Sequence, residues 1–531
     1  RRASPRPRAA RAGAAAPAQA VFLRGAGMTA TAPAAPVDVC IVVEGCYPFI
    51  AGGVSSWLDW LIRTQPGTTF GVVAIVADER PRDIRYDLPP NVRHFQVLPL
   101  APWARKPRLR RPALDGGRLA GLMHKVLREG DLDAFDGLLR FVSEPVRREP
   151  FGFLDSPAPP DYSDLTASPA AWQAITECYR RIAPEAAFSD FFWAWRNLAG
   201  SLLAIATAPV PPARTYHAIS TGYAGLYAVR AARAAGRTAA ITEHGIYTNE
   251  RRIDLVMADW IADTIDSGLS GDDGRTDVRR FWIDTFESFA RIAYDGCQRI
   301  TTLYGANQSF QRTLGAAESK LQVIPNGIAL EKFDAIRPQK NRRPTVALIG
   351  RVVPIKDIEA YVAAAAIVRR AIPDVQVLVI GPTDEDEDYF ALCKRRVAEL
   401  DLTETVLFTG KVNIIDWLPR IDVLVLTSIS EAQPLVLLEA GAARIPCVAT
   451  DVGSCREIIE GAPDEHPNLG LAGRVAPPMD GPAIGRAIIE LMADPALRAA
   501  CGDILRRRVE TYFTSEISAA RYGALYEELV A

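Results

Sequence analysis

TSISEAQPLVLLEAGAARIPCVAT, residues 427–450, holds two glutamates, Glu431 and Glu439, with seven residues between them. It follows an apolar run, Val423 to Leu426, that reads as a buried strand, and Pro434 is placed where a helix opens. Glu431 then falls in a strand-to-helix loop and Glu439 more than a turn into the helix. At 1.5 Å rise per residue the two stand roughly 10 Å apart along it. The paired carboxylates of a retaining glycosidase work at about 5 Å, so this pair fits a long polar ligand held at two points, such as a sugar nucleotide.

Outward from this motif the same rhythm repeats. Apolar runs at Thr345 to Ile349, Val375 to Ile380, Val406 to Thr409 and Cys447 to Ala449 alternate with helix-patterned sequence, which predicts a parallel sheet. The first run ends in GRVVPIKD, which sets Arg351 and Lys356 beside a strand-to-helix turn. Ligands of open α/β sheets bind outside the carboxyl ends of strands, and two cations there can clamp a diphosphate. The run LFTGKVN ends another strand, and its backbone near Lys411 and Val412 could read a nucleobase edge. The acidic run Asp384 to Asp388 reads as a solvated loop.

A polar linker, RPQKNRRP at residues 337–344, separates this half from an earlier one. There Val37 to Val43 reads as a first strand, followed by the loop EGCYPFIAGG. A helix follows, with Val54, Trp57, Leu58, Leu61 and Ile62 on one face. Phe70 to Val76, Ala239 to Thr242 and Ile300 to Leu303 read as further strands. About Pro102 to Pro212, rich in Pro, Arg, Trp and Phe, reads as a mostly helical insertion. Gly52 and Gly53 lie before a helix, where backbone can approach a ligand closely, although no GxGxxG follows the first strand. His244 lies at a strand end before a glycine. PNG at residues 325–327 reads as an Asn-Gly turn.

The fold class expected is α/β, with two facing Rossmann-like domains. We divide the chain into a disordered extension (1–36), a first domain (37–338) with an insertion at about 102–212, a second domain (339–513) and a C-terminal helix (514–531). That last helix, with Ile517, Tyr522, Leu525, Tyr526 and Leu529 to bury, is free to pack back on the first domain. The Arg-, Ala- and Pro-rich stretch before Met28 reads as a cloning or gene-start artefact, with a transit peptide as the alternative.

With 531 residues, 49% hydrophobic content and a formal charge of -2, the chain has ample core and no basic excess for nucleic acid. Its eight Cys form no CxxC pair and its five His show no metal spacing. No apolar run reaches the roughly 18 residues needed to cross a bilayer. The expected location is cytoplasmic.

GRVVPIKD, LFTGKV, EAQPLVLLE, PNGIALEKF and the first-domain glycine loop, in that arrangement, resemble family 4 of the retaining GT-B glycosyltransferases over nearly all of the chain after Val37. VVEGCYPFIAGGVSSWLDWLI and EHGIYTNERRID are more narrowly similar to its PelF subfamily, the cytosolic glycosyltransferases of Pel-type exopolysaccharide systems. The resemblance implies sugar transfer with retention from a nucleotide sugar, UDP-linked, to a growing polysaccharide. It implies no metal or other cofactor, and contact with a membrane-bound synthase complex.

By that resemblance Arg351 and Lys356 bind the diphosphate, Glu431 the sugar hydroxyls and Glu439 the ribose. His244 lies near the transferred sugar, Gly52 and Gly53 near the phosphates, and Lys411 and Val412 near the base. Gln433, Leu435 and Val436 complete the donor set. Where many members carry Gly-Phe-Gly after the first glutamate, this chain has Ala432, Gln433 and Pro434, and Pro434 has no amide to donate. The rival readings are a GT-B-like epimerase or hydrolase of nucleotide sugars, and a non-catalytic nucleotide-sugar-binding subunit of an export complex.

Overall fold

The computed structural model describes residues 35–101, 111–146, 148–149, 157–256, 258, 278–337, 339 and 343–531. Residues 1–34 of the expected N-terminal extension, residues 102–110, 147 and 150–156 of the insertion and half of the linker therefore lie outside the described residues.

Two parallel sheets organise the molecule. In the first, β1 (Val37–Glu44), β2 (Phe70–Val76), β3 (Val92–Pro99), β6 (Ala213–Ala218), β7 (Thr238–Glu243), β8 (Arg299–Thr302) and β9 (Leu321–Val323) run in the order β3-β2-β1-β6-β7-β8-β9. β4 (Arg111–Pro112) and β5 (Arg148–Glu149) form a separate antiparallel pair. The second sheet holds β10 (Thr345–Ile349), β11 (Gln376–Ile380), β12 (Val406–Gly410), β13 (Val423–Leu426), β14 (Cys447–Thr450) and β15 (Gly473–Ala476), in the order β12-β11-β10-β13-β14-β15.

These strands form because their runs are apolar on both faces, as a sheet covered by helices on each side requires. β2 is buried at every position, and so are β10 and β13. In both sheets the winding direction reverses beside the first strand, between β1 and β6 and between β10 and β13. At such a reversal neighbouring loops part and leave a crevice at the carboxyl ends.

Between β3 and β6 the chain is mainly helical. Helices Gly116–His124, Leu132–Ser143, Tyr162–Ala167, Pro169–Ile182 and Phe188–Thr207 bury Leu119, Phe135, Leu165, Ile175 and Leu202 in the core that covers one face of the first sheet.

Two crossings link the sheets, and they pair with each other. Ile328 donates its amide to the Phe513 carbonyl (2.9 Å), and Ser515 donates to the Ile328 carbonyl (3.0 Å). The Asn-Gly pair before Ile328 is therefore more than a turn. A Cβ on Gly327 would lie 2.0 Å from the Thr514 carbonyl oxygen, so the glycine permits a close backbone approach.

Beyond the crossing, the helix Ser515–Val530 returns to the first sheet and buries Tyr522, Leu525, Tyr526 and Leu529 against Val39, Ile41 and Leu58. A polar network runs through this contact. His217 on β6 bonds the Tyr526 hydroxyl through Nδ1 (2.9 Å) and the Thr242 hydroxyl through Nε2 (2.8 Å).

Burial pushes the His217 imidazole down to about 3, with the neighbouring His244 adding to the effect. An unfolded histidine titrates near 6.5, so the penalty is absent above that pH and grows as pH falls toward 3. At pH 5 this residue alone costs about 2 kcal/mol of folding stability. Urea denaturation at pH 7 and pH 5 checks this: His217→Gln loses less stability than the parent over that interval, by about that amount.

Candidate active site in the interdomain cleft

The reversal in the second sheet brings together side chains 75 residues apart. Lys356 leaves the 3-10 turn Pro354–Lys356 after β10, and Glu431 lies in the loop after β13. Lys356 Nζ and Glu431 Oε1 form a close ion pair, with only 19% and 15% of the two side chains exposed. Three further bonds fix the loop. Ser428 donates its hydroxyl to the same Oε1 (2.6 Å), Thr427 donates to the Lys356 carbonyl (2.7 Å) and Ile429 N–H donates to the Ile355 carbonyl (2.9 Å). Glu431 Oε2 keeps no partner among the described residues and is left to accept from a ligand. Gly453, in the left-handed region at φ 54°, lets the loop after β14 pass beneath; a Cβ there would stand 2.3 Å from the Glu431 carbonyl oxygen.

Glu431, Gln433, Leu435 and Glu439 form one wall of a cleft of about 1130 Å³. Gly53, Trp57 and His244 form the facing wall, and the crossing residues Asn326 to Phe333 close one side. Helix Leu435–Ala442 starts one residue later than a proline at its first helical position would have it, because Pro434 is its N-cap. Among the described residues the amides of Leu435 and Val436 find no acceptor, as the first N–H groups of a helix do not. Burial pushes the Glu439 carboxyl above its ordinary value, against the opposing attraction of Lys332.

His244 packs edge-on to Trp57, with ring centroids 4.3 Å apart. Burial holds its imidazole down to about 4, so it is neutral at pH 7, and its buried Nε2 has no hydrogen-bond partner among the described residues. Trp57 in turn meets Tyr522 of the returning helix at 5.5 Å. Gly52 caps helix Gly53–Arg63, and neither glycine's missing Cβ would meet any atom within 4 Å, so the backbone there faces open space.

Other expected site residues stand elsewhere. Arg351 pairs with Glu385, both about half exposed. Glu385 belongs to the acidic run read as a solvated loop, and that reading needs correcting. Asp386 caps helix Glu387–Glu399 by accepting from the Tyr389 amide (2.9 Å), and Glu387 and Asp388 occupy its first turn, where negative charge is favoured. Lys411 is exposed after β12 at the sheet edge and Val412 packs on the second domain's core; neither lines the cleft.

Gln433 faces backbone. Its Oε1 accepts from the Asn326 amide (2.7 Å) and its Nε2 donates to the Asn326 carbonyl (3.3 Å), so the side chain clasps the crossing strand. A second clasp lies nearby. Glu457 accepts from the amides of Gly305 (3.1 Å) and Ala306 (3.0 Å), which belong to the first domain. Sequence reasoning missed Asn326, Glu457, Ser428 and Trp57. Asn326 was read only as part of a turn and Trp57 only as a helix face, and Ser428, three residues before Glu431 at a strand end, carried a local signal that Glu457 lacked.

Residues 37–319 match the family described as Domain of unknown function (DUF3492). The chain belongs to the DUF3492 family. The second half of this DUF3492 protein, residues 331–508, matches the family Glycosyl transferases group 1, which contains Lys356, Glu431 and Glu439.

Among curated proteins it is similar to the lipopolysaccharide core biosynthesis mannosyltransferase LpcC of Rhizobium leguminosarum bv. viciae, at 33% identity over 35% of this chain and 52% of that one. It is also similar to N-acetyl-alpha-D-glucosaminyl L-malate synthase of Bacillus anthracis, at 25% identity over 49% of this chain and 65% of that one. The DUF3492 chain thus spans about half to two thirds of the length of these curated relatives.

Among solved structures, sucrose-phosphate synthase of Thermosynechococcus elongatus superposes with a TM-score of 0.53 at 18% identity, covering 92% of this chain and 98% of that one. HepE of Anabaena, solved in complex with UDP, gives 0.54 at 13%, covering 92% and 100%. At such identities the likeness is one of fold, and the fold is GT-B.

The Gln433 clasp makes a direct prediction. Gln433→Ala removes the acceptor of a half-buried amide, a loss of about 1 to 1.5 kcal/mol, and so speeds hydrogen exchange at Asn326 by about tenfold. Exchange mass spectrometry on the peptide around residues 320–330 reads this directly.

Proposed function

We propose that this protein is a glycosyltransferase that moves a sugar, with retention of anomeric configuration and without a metal ion, from a UDP-sugar to a growing exopolysaccharide. The observation that carries the reading is the Lys356–Glu431 pair at the point where the second sheet reverses, facing a neutral His244 and an open glycine turn across the cleft. The group 1 glycosyl transferase match over 331–508 supports transfer as the reaction class. The UDP assignment draws on HepE, whose solved complexes hold UDP, and the exopolysaccharide assignment on the PelF-like segments.

In this reading the donor's diphosphate takes Lys356, Arg351 swings from Glu385, and the amides of Leu435 and Val436 supply the anion contacts that Pro434 cannot. The shift costs Arg351 little, because an exposed ion pair is worth no more than about 1 kcal/mol. Glu431 Oε2 accepts from sugar hydroxyls and Glu439 from the ribose. The acceptor hydroxyl attacks C1 on the face from which the diphosphate departs. The C1–O bond to phosphate breaks, the bond to the acceptor oxygen forms, and the acceptor's proton passes to the leaving phosphate oxygen. Lys356 and Arg351 stabilise the charge that grows on that phosphate, a contribution on the order of 3 kcal/mol per well-placed donor. His244, uncharged, offers Nε2 to the sugar and brings no positive charge near C1. The protein acts in the cytoplasm, at the inner face of the membrane beside a synthase complex; among the described residues no helix is long and apolar enough to cross a membrane.

Lys356→Ala and Arg351→Ala each lower transfer from UDP-sugars by about 10² to 10³-fold while the thermal midpoint stays within a few degrees. Near-parental turnover in both variants refutes the assignment, and release of free sugar or an isomer in place of transfer favours the hydrolase or epimerase reading. Activity also survives EDTA in full; strict dependence on added Mg²⁺ or Mn²⁺ contradicts the metal-free mechanism.

A further inference from the structure

The helices between β3 and β6 enclose a second cavity, of about 630 Å³, which shares no residue with the interdomain cleft. Its size lies within the roughly 300 to 1,000 Å³ usual for small-molecule sites. Its inner wall is apolar: Leu119, Met123, Leu165 and Leu203 are all at most 3% exposed. Packing that stable would ordinarily close such a space. Here the wall stays open beside Gly200, where a Cβ would come within 3.2 Å of the Tyr162 hydroxyl.

Two buried hydroxyls also line the cavity, Ser168, which accepts from the Ala171 amide (3.2 Å), and Ser201, which bonds Tyr223; the charged group stands at the rim. The Tyr162 hydroxyl has no hydrogen-bond partner among the described residues, and burial raises its pKa, against the attraction of Arg196 nearby. Arg196 is exposed, lies over the Trp193 ring at 5.6 Å and has no carboxylate partner among the described residues. Trp172, 56% exposed, flanks the same opening. A large tryptophan standing half in water beside an apolar cavity is the arrangement that an amphiphilic ligand covers.

We propose that this cavity binds the chain of an acyl or prenyl amphiphile, with its acidic head held at the rim by Arg196 and Tyr162. The segregation argues for this class. A sugar needs polar partners along its whole length, and the two buried hydroxyls of the lining, Ser168 and Ser201, are already engaged with the Ala171 amide and with Tyr223. A neutral lipid leaves Arg196 without a counter-charge, whereas a phosphate or carboxylate accepts from its guanidinium and from the tyrosine hydroxyl together. The proposal does not rest on the transferase reading, because the two sites are separate and binding is measured without a donor.

The test uses the full chain and dodecyl phosphate below its micelle concentration, followed by calorimetry, with dodecyl maltoside as the neutral probe. The expected result is saturable binding of one dodecyl phosphate per chain. Ala167→Trp, an exposed rim position where a bulky ring closes the mouth, abolishes it. Arg196→Glu weakens it by about tenfold or more and leaves dodecyl maltoside within a factor of about three. Both substitutions are at exposed positions, and unchanged circular dichroism and thermal midpoints confirm folding. Absence of binding, or binding that neither variant changes, overturns the proposal. Equal affinity for the two probes overturns the acidic head.

Discussion

At Gly327 the strand that leaves the first domain runs against the strand that returns to it, close enough that the Thr514 carbonyl leaves no room for a side chain. Amide bonds from Ile328 to Phe513 and from Ser515 to Ile328 join the two crossings into one short ribbon. Two independent linkers would let the sheets drift. A paired ribbon sets where each sheet's carboxyl edge lies, and so sets the width of the cleft. The clasps of Gln433 on Asn326 and of Glu457 on Gly305 and Ala306 add two more points of contact across the same gap. Each uses a side chain to bond backbone, so the domains are held by groups that no surface substitution on the opposite side can remove.

Within that frame the site is arranged by charge. The partly buried Lys356 stands against Glu431, and Glu431 in turn accepts from Ser428 through the same oxygen, leaving the other without a partner among the described residues. A partly buried pair of this kind is not a device for stability, since desolvation offsets much of the attraction. It holds the two side chains in a fixed orientation at the cleft wall. His244 complements this by staying neutral.

Much of the fold was legible because buried parallel strands are apolar without interruption. Val423 to Leu426, Thr345 to Ile349 and Phe70 to Val76 were read to the residue. Val92–Pro99 and Ala213–Ala218 were not. The first is an edge strand with mostly half-buried side chains, and the second carries Thr215 and His217 into a polar network completed by Tyr526, some 300 residues away. The placement of Lys356 and Glu431 at the ends of two strands was legible, but their pairing with each other was not, because it depends on the two strands lying side by side in the sheet. Gln433 was not: read as a ligand contact, it bonds a backbone segment whose nearness depends on the tertiary fold. The acidic run at 384–388 misled for a simpler reason, because the same charges that solvate a loop also cap a helix.

The helix Ser515–Val530 has a consequence for how the molecule comes into being. Tyr522, Leu525, Tyr526 and Leu529 complete the core on one face of β1, β2 and the helix Gly53–Arg63. Those elements leave the ribosome more than 400 residues before their last packing partners. The second sheet, by contrast, is closed by neighbours in sequence. During synthesis the half of the protein made second is therefore the first able to finish its core, and the half made first waits with an apolar face uncovered.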